Sequence, residues 1–155
     1  MKTKKKWWYR GILVIAIIGI AMYLNSKLSA LDPLIVYDEI TFEEINKSIY
    51  FRGMAWGLAG NHEEVILSEN KIKPNDRKSI RNRDLIFYTS ELYYKKTGLD
   101  SLIIYVKQSS IPSWNNTQSF KPVKITVNPL KYSSDLKRFE NTYKDNGYEK
   151  ISIYD

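Results

Sequence analysis

The chain has 155 residues, with 24 lysines and arginines against 17 acids and a formal net charge of +7. It has no cysteine, which excludes disulfides, thiolate metal ligands and cysteine nucleophiles. Six of the cations and none of the acids lie in residues 1–27, so residues 28–155 are close to neutral. The positive charge therefore does not indicate a nucleic-acid-binding surface, and no nucleic-acid partner is predicted.

The first predicted element is an apolar helix over residues 7–24. Residues 11–24 carry no charge, and Arg10 can extend its guanidinium from the helix end toward lipid headgroups. Because about 20 apolar helical residues cross a bilayer, this pattern predicts a single-pass signal anchor that contacts the lipid bilayer through residues 7–24. Most nearby cations precede the helix, which predicts a cytoplasmic N-terminus and an extracytoplasmic C-terminal domain. The alternative is a signal peptide cleaved near Ala30.

The anchor divides the chain into a basic N-terminus with the membrane helix over residues 1–27, a tether over 28–33 and an extracytoplasmic domain over 34–155. The domain is rich in isoleucine and tyrosine, which favour strands. Candidate strands cover residues 34–37, 47–56, 62–68, 85–94, 101–107, 123–127 and 151–153.

Turn signals group these strands into hairpins. Glycines and an asparagine in residues 57–61 join the second strand to the third, and Gly98 lies between the strands at 85–94 and 101–107. The continuous apolar run at 102–106 is typical of a central strand. A helix is predicted from the cap at Ser133 to Gly147.

The sequence thus predicts an α+β protein. A single N-terminal transmembrane helix is followed by a small, mostly antiparallel β domain of about six strands with one C-terminal helix. The pattern leaves open whether the two hairpins share one sheet or form two.

The only histidine, His62, provides the one candidate for acid–base chemistry. On a strand, His62 and Glu64 lie on the same face, and a histidine with a carboxylate can act as an acid–base pair. The alternative is that His62 and Glu64 have only a structural role in the hairpin. A third reading makes Trp56 and His62 part of a binding tip, with Trp114 as a second exposed aromatic candidate. No second histidine is present to complete a zinc motif, and no metal site or cofactor is predicted.

Three runs carry a resemblance. They are Trp56-Gly-Leu-Ala-Gly-Asn-His-Glu-Glu64, Ile86-Phe-Tyr-Thr-Ser-Glu-Leu-Tyr-Tyr94 and Lys144-Asp-Asn-Gly-Tyr148. The chain resembles small envelope proteins of Bacteroidota-type bacteria that carry such runs. The resemblance implies a bacterial source, and with it a bacterial inner membrane, but no functional residue is carried over from it.

Two charged segments are interpreted as solvent-exposed surface without a specific function. The basic residues between Lys71 and Arg83 are interpreted as a solvated loop, and Asp38, Glu39, Glu43 and Glu44 as an acidic surface. Calcium loops need a denser spacing of acids than these four provide.

The leading functional hypothesis is a non-catalytic, membrane-anchored binding module for a protein or envelope component. The alternatives are a small envelope hydrolase that uses His62 with a nearby carboxylate, and an immunity-type protein.

Overall fold

The computed structural model describes residues 12–23, 33–57, 62–71 and 84–154. The chain divides into two compact units, Met1–Asp32 and Pro33–Asp155. In the first unit, residues 12–23 form a helix, α1, whose side chains are exposed.

Helix α1 contradicts the predicted membrane anchor. Its described residues span about 18 Å at 1.5 Å per residue, against a hydrocarbon core of about 30 Å. Of the helices in the described ranges, none is both long enough and apolar enough to cross a membrane. The single-pass, signal-anchor and membrane-localisation predictions are therefore wrong. Residues 7–11 and 24 of the predicted span lie outside the described residues, as does the alternative cleavage site near Ala30.

The first sheet is a four-stranded antiparallel meander with strand order β1-β2-β3-β4. Strands β2 and β3 pair antiparallel as a hairpin, and their bounds agree with the sequence prediction. Its strands are β1 (Leu34–Phe42), β2 (Lys47–Trp56), β3 (His62–Ser68) and β4 (Leu85–Phe87).

The second sheet has the strand order β7-β6-β5-β8. Strand β6 is central, as its continuous apolar run predicts, but it pairs with β7 in parallel rather than antiparallel. The strands are β5 (Glu91–Thr97), β6 (Ser101–Lys107), β7 (Lys124–Leu130) and β8 (Glu149–Ser152).

One hydrophobic core lies between the inner faces of the two sheets. Phe42 and Phe51 of the first sheet and Leu92, Ile104 and Ile151 of the second belong to the same buried cluster. The two hairpins thus lie in different sheets, and their alternate residues meet across the core.

Helix α2 (Ser133–Thr142) covers the outer face of the second sheet with aromatic side chains. The Phe139 ring lies 5.1 Å from that of Tyr93 on β5 and 4.7 Å from that of Tyr105 on β6, centroid to centroid. None of the helix residues is fully buried, so α2 lies across the sheet as a partly exposed layer.

The fold class needs two further corrections. The described chain has eight strands in two sheets, not about six, and two helices. Residues 85–94, predicted as one strand, form the end of the first sheet and the start of the second. The break is at Thr89, whose N–H donates to the Phe87 carbonyl at 3.0 Å and whose hydroxyl donates to the Glu91 carbonyl at 2.9 Å.

Candidate functional site

Trp56 and His62 face each other across the end of the β2–β3 hairpin. They are partners in the strand register, and their rings stack with centroids 5.6 Å apart at an interplanar angle of 21°. His62 is exposed and Trp56 is half-buried. The stacking follows from the register, because directly opposed residues of an antiparallel pair project on the same face.

Glu64 lies on the same face but makes a different contact. Its carboxylate is 3.6 Å from the Arg52 guanidinium, and the two residues are only 6% and 1% exposed. A buried carboxylate opposite a buried guanidinium is held as an ion pair. Glu64 is therefore engaged by Arg52, and this geometry does not support an acid–base pair with His62.

Trp114 is 57% exposed and lies in a loop beside the free edge of β4. The side chain of the next residue, Asn115, replaces a strand partner there. Its amide nitrogen donates to the Ile86 carbonyl at 2.7 Å, and its amide oxygen accepts from the Ile86 N–H at 3.1 Å. Because one amide satisfies both backbone groups, the loop that carries Trp114 is held in a defined position.

Tyr88 is a second exposed aromatic residue at this edge, at 56% exposure, and the sequence analysis did not single it out. Its N–H donates to the Ser110 carbonyl at 2.9 Å. Residues 86–88 and 110–115 are thus joined by three hydrogen bonds. In the sequence Tyr88 lies inside a run predicted as one strand. It is exposed because β4 ends at Phe87, which the local sequence does not indicate.

A cavity of about 270 Å³ lies beside Tyr88. Glu63, the neighbour of His62, lines it together with Tyr88, Glu91, Lys107 and Ser110. Most of these side chains are polar.

The two carboxylates named at the cavity, Glu63 and Glu91, both have partners. The Tyr154 hydroxyl donates to Glu63 Oε1 at 2.8 Å, and this hydrogen bond raises the pKa of Tyr154, with a smaller contribution from desolvation. Lys150 Nζ lies 3.2 Å from Glu91 Oε2. Each of these carboxylates therefore has a partner, a neutral phenol for Glu63 and a lysine for Glu91.

Contacts join only some of the predicted binding residues. Trp56 stacks on His62 at the end of the β2–β3 hairpin, whereas the Tyr88 segment is bonded to the Trp114 loop at the edge of β4. Glu63, which lines the cavity with Tyr88, projects from β3 on the face opposite His62, so it does not connect the two pairs. We call Tyr88 and Trp114 the aromatic surface.

The acidic surface lies on β1 and the turn after it, at the opposite edge of the first sheet from the aromatic surface. Of the predicted basic loop, residues 72–83 lie outside the described residues. No group of three or more histidines and acids suited to holding a metal ion occurs in the part of the chain that the structure describes.

No family model matches the chain, and neither the curated proteins nor the solved structures contain a match to it. The resemblance to Bacteroidota-type envelope proteins therefore stays a prediction.

Proposed function

We propose that this protein is a non-catalytic binding module that recognises a protein partner through its aromatic surface. The observation that carries the proposal is the pair Tyr88 and Trp114, each more than half exposed on segments fixed by three hydrogen bonds. Tryptophan and tyrosine are the residues most enriched at the centres of protein interfaces.

Preorganisation strengthens the case. A flexible loop loses conformational entropy when it binds, whereas a loop already held in place loses little. The Asn115 side chain holds the Trp114 loop against Ile86 before any partner arrives. The aromatic surface is thus built to present two large rings at a low entropic cost.

The first experiment places a photo-reactive phenylalanine analogue at position 114, at position 88 or at position 132 of the full chain. Tyr132 is the matched control, because it is 68% exposed and lies at the start of α2 rather than on the aromatic surface. We expect the same dominant protein to be captured in native cells from positions 114 and 88 but not from position 132.

The captured partner is then tested by titration with purified variants. Trp114→Ala is expected to weaken binding by about 30-fold or more, corresponding to about 2 kcal/mol for a central aromatic anchor. His62→Ala is expected to bind within a few-fold of the natural chain. Equal capture from positions 114 and 132, or undiminished binding by Trp114→Ala, would overturn the proposal.

A further inference from the structure

The two sheets have four outer strands, and three of these edges are protected against pairing with another chain. Strand β4 has three residues, and its Ile86 backbone is bonded by the Asn115 side chain. Strand β8 has only four residues. Strand β7 contains Pro129, which cannot donate to a ladder. Short strands, proline and covering groups are the usual means by which proteins protect sheet edges.

Strand β1 is different. It has nine residues and no proline, and it pairs with β2 in an unbroken register from Leu34↔Ala55 to Phe42↔Lys47. A long, regular edge presents a row of backbone donors and acceptors to any extended segment that approaches it.

The backbone groups that face outward belong to the odd-numbered residues of β1. The Glu39 N–H bonds to the Asp38 carboxylate at 2.8 Å, and the Thr41 carbonyl accepts from Lys96 Nζ at 2.9 Å. Since outward and inward peptide groups alternate along an antiparallel strand, Ile35 and Tyr37 face outward too. Within the described ranges, no other segment bonds to the backbone of these two residues.

The charge around this edge is negative. Glu39, Glu43 and Glu44 are exposed. Of the described lysines at this edge, Lys47 is paired with Glu69 at 3.0 Å, and Lys96, which donates to the Thr41 carbonyl, leaves the acids in excess. A second copy of the chain would bring the same acids to the interface, which disfavours pairing of β1 with itself. A basic segment would meet complementary charge.

We propose that β1 is a docking edge at which an extended, lysine- or arginine-bearing segment of a partner protein adds as a fifth strand to the first sheet. Backbone hydrogen bonds to Ile35 and Tyr37 provide the affinity, and the acids select the basic sequence. This edge is opposite the aromatic surface in the strand order β1-β2-β3-β4, so the inference does not depend on the proposed function.

The test uses the full chain and two synthetic nine-residue peptides, one alternating lysine with valine and one alternating glutamate with valine. Amide hydrogen exchange is followed by NMR. At a lysine peptide concentration ten times its Kd, we expect exchange at Ile35 and Tyr37 to slow about tenfold, because the open edge is occupied. The glutamate peptide should leave both rates unchanged.

Two variants separate backbone pairing from charge attraction. Tyr37→Pro removes an outward N–H and should abolish protection by the lysine peptide. Glu39→Lys keeps the backbone and should weaken peptide binding about 3- to 10-fold at low salt, whereas Glu140→Lys makes the same charge change on exposed α2 and should not. If Tyr37→Pro does not fold, slowed exchange at Ile35 and Tyr37 in the natural chain still tests backbone pairing, and the comparison of Glu39→Lys with Glu140→Lys tests the charge.

Three results would overturn the proposal. The first is no protection at Ile35 and Tyr37 with the lysine peptide. The second is equal protection by the glutamate peptide, which would remove the selection by charge. The third is concentration-dependent protection of the chain alone, together with a dimer in analytical ultracentrifugation, which would assign the edge to a second copy. None of these measurements involves Trp114. Undiminished partner binding by Trp114→Ala, which would overturn the proposed function, would leave them unchanged, so the two proposals can fail separately.

Discussion

The Tyr94 hydroxyl donates a hydrogen bond to the Asp38 carboxylate and so connects β5 of the second sheet to β1 of the first. The same phenol oxygen lies 2.9 Å from Glu149 Oε2 on β8. Tyr94 is only 3% exposed, and its ring packs on Phe51 with centroids 4.9 Å apart. One phenol thus joins the two sheets at the border of their common core.

Tyr94→Phe should test the energetic value of this connection. The substitution keeps the ring packed on Phe51 and removes only the hydroxyl, which takes the phenolic donor away from Asp38 and from the neighbouring Glu149. We expect the free energy of unfolding to fall by about 1.5–3 kcal/mol, the range for a hydrogen bond to a charged group. Urea denaturation measures it, with exposed Tyr37→Phe as the control. A loss below about 0.5 kcal/mol would show that the connection contributes little.

Alkaline pH should weaken the same connection. Burial, followed by the hydrogen bond to Asp38, raises the pKa of Tyr94 well above its usual value. The folded protein therefore holds the phenolic proton more tightly than the unfolded chain, whose tyrosine pKa is about 10. The contribution to stability is complete below about pH 10 and is lost as the pH rises above it.

The measurement is the free energy of unfolding between about pH 8 and pH 11 for the natural chain and for Tyr94→Phe. We expect the difference between the two to be constant up to about pH 9.5 and to shrink above pH 10. The other tyrosines are common to both proteins and cancel in the difference. Parallel curves over the whole range would mean that Tyr94 does not titrate differently in the folded state.

Gly53→Ala should destabilise the packing between the two sheets. A Cβ at this position would lie 2.7 Å from Val36 Cγ2 and 2.9 Å from Ile153 Cγ1, closer than carbon atoms tolerate. We expect a loss of about 1–3 kcal/mol, as for overpacking of a core. In a double-mutant cycle with Ile153→Ala, the alanine at position 53 should cost less, because one of the two clashing atoms is gone. Additive losses would argue against this clash.

The buried ion pair of Arg52 and Glu64 gives an asymmetric prediction. Glu64→Gln removes the carboxylate that faces the buried guanidinium and should cost about 3–5 kcal/mol. The double substitution Arg52→Met with Glu64→Leu removes both charges and should recover most of that loss, since apolar side chains of similar volume fill the space. Chemical denaturation compares the three proteins. A double variant less stable than Glu64→Gln would show that the pair itself stabilises the sheet.

Local patterns predicted the β2–β3 hairpin well. Two runs rich in apolar and aromatic residues, separated by a turn of glycine and asparagine, identified Lys47–Trp56 and His62–Ser68 with their observed bounds. The opposed positions of Trp56 and His62 follow from that hairpin. The same register places Arg52 diagonally next to Glu64 on one face of the hairpin. The burial of this pair does not follow from the hairpin, because nothing in the local sequence indicates that this face is covered.

The apolar N-terminal run was misread for a related reason. Composition indicated an apolar helix that crosses a membrane, but of the helices in the described ranges none is long and apolar enough to do so.

What the sequence by itself determined is therefore the position of most strands and which side chains of a strand share a face, because these depend on the two-residue period of a pleated backbone. Only the tertiary structure decided which sheet each strand joined, that β7 runs parallel to β6, and that residues 85–94 change sheets at Thr89. Sheet membership depends on contacts between residues far apart in the chain. Asn115 closing the edge of β4 and Tyr94 joining the sheets are contacts of this kind, and no local pattern encodes them.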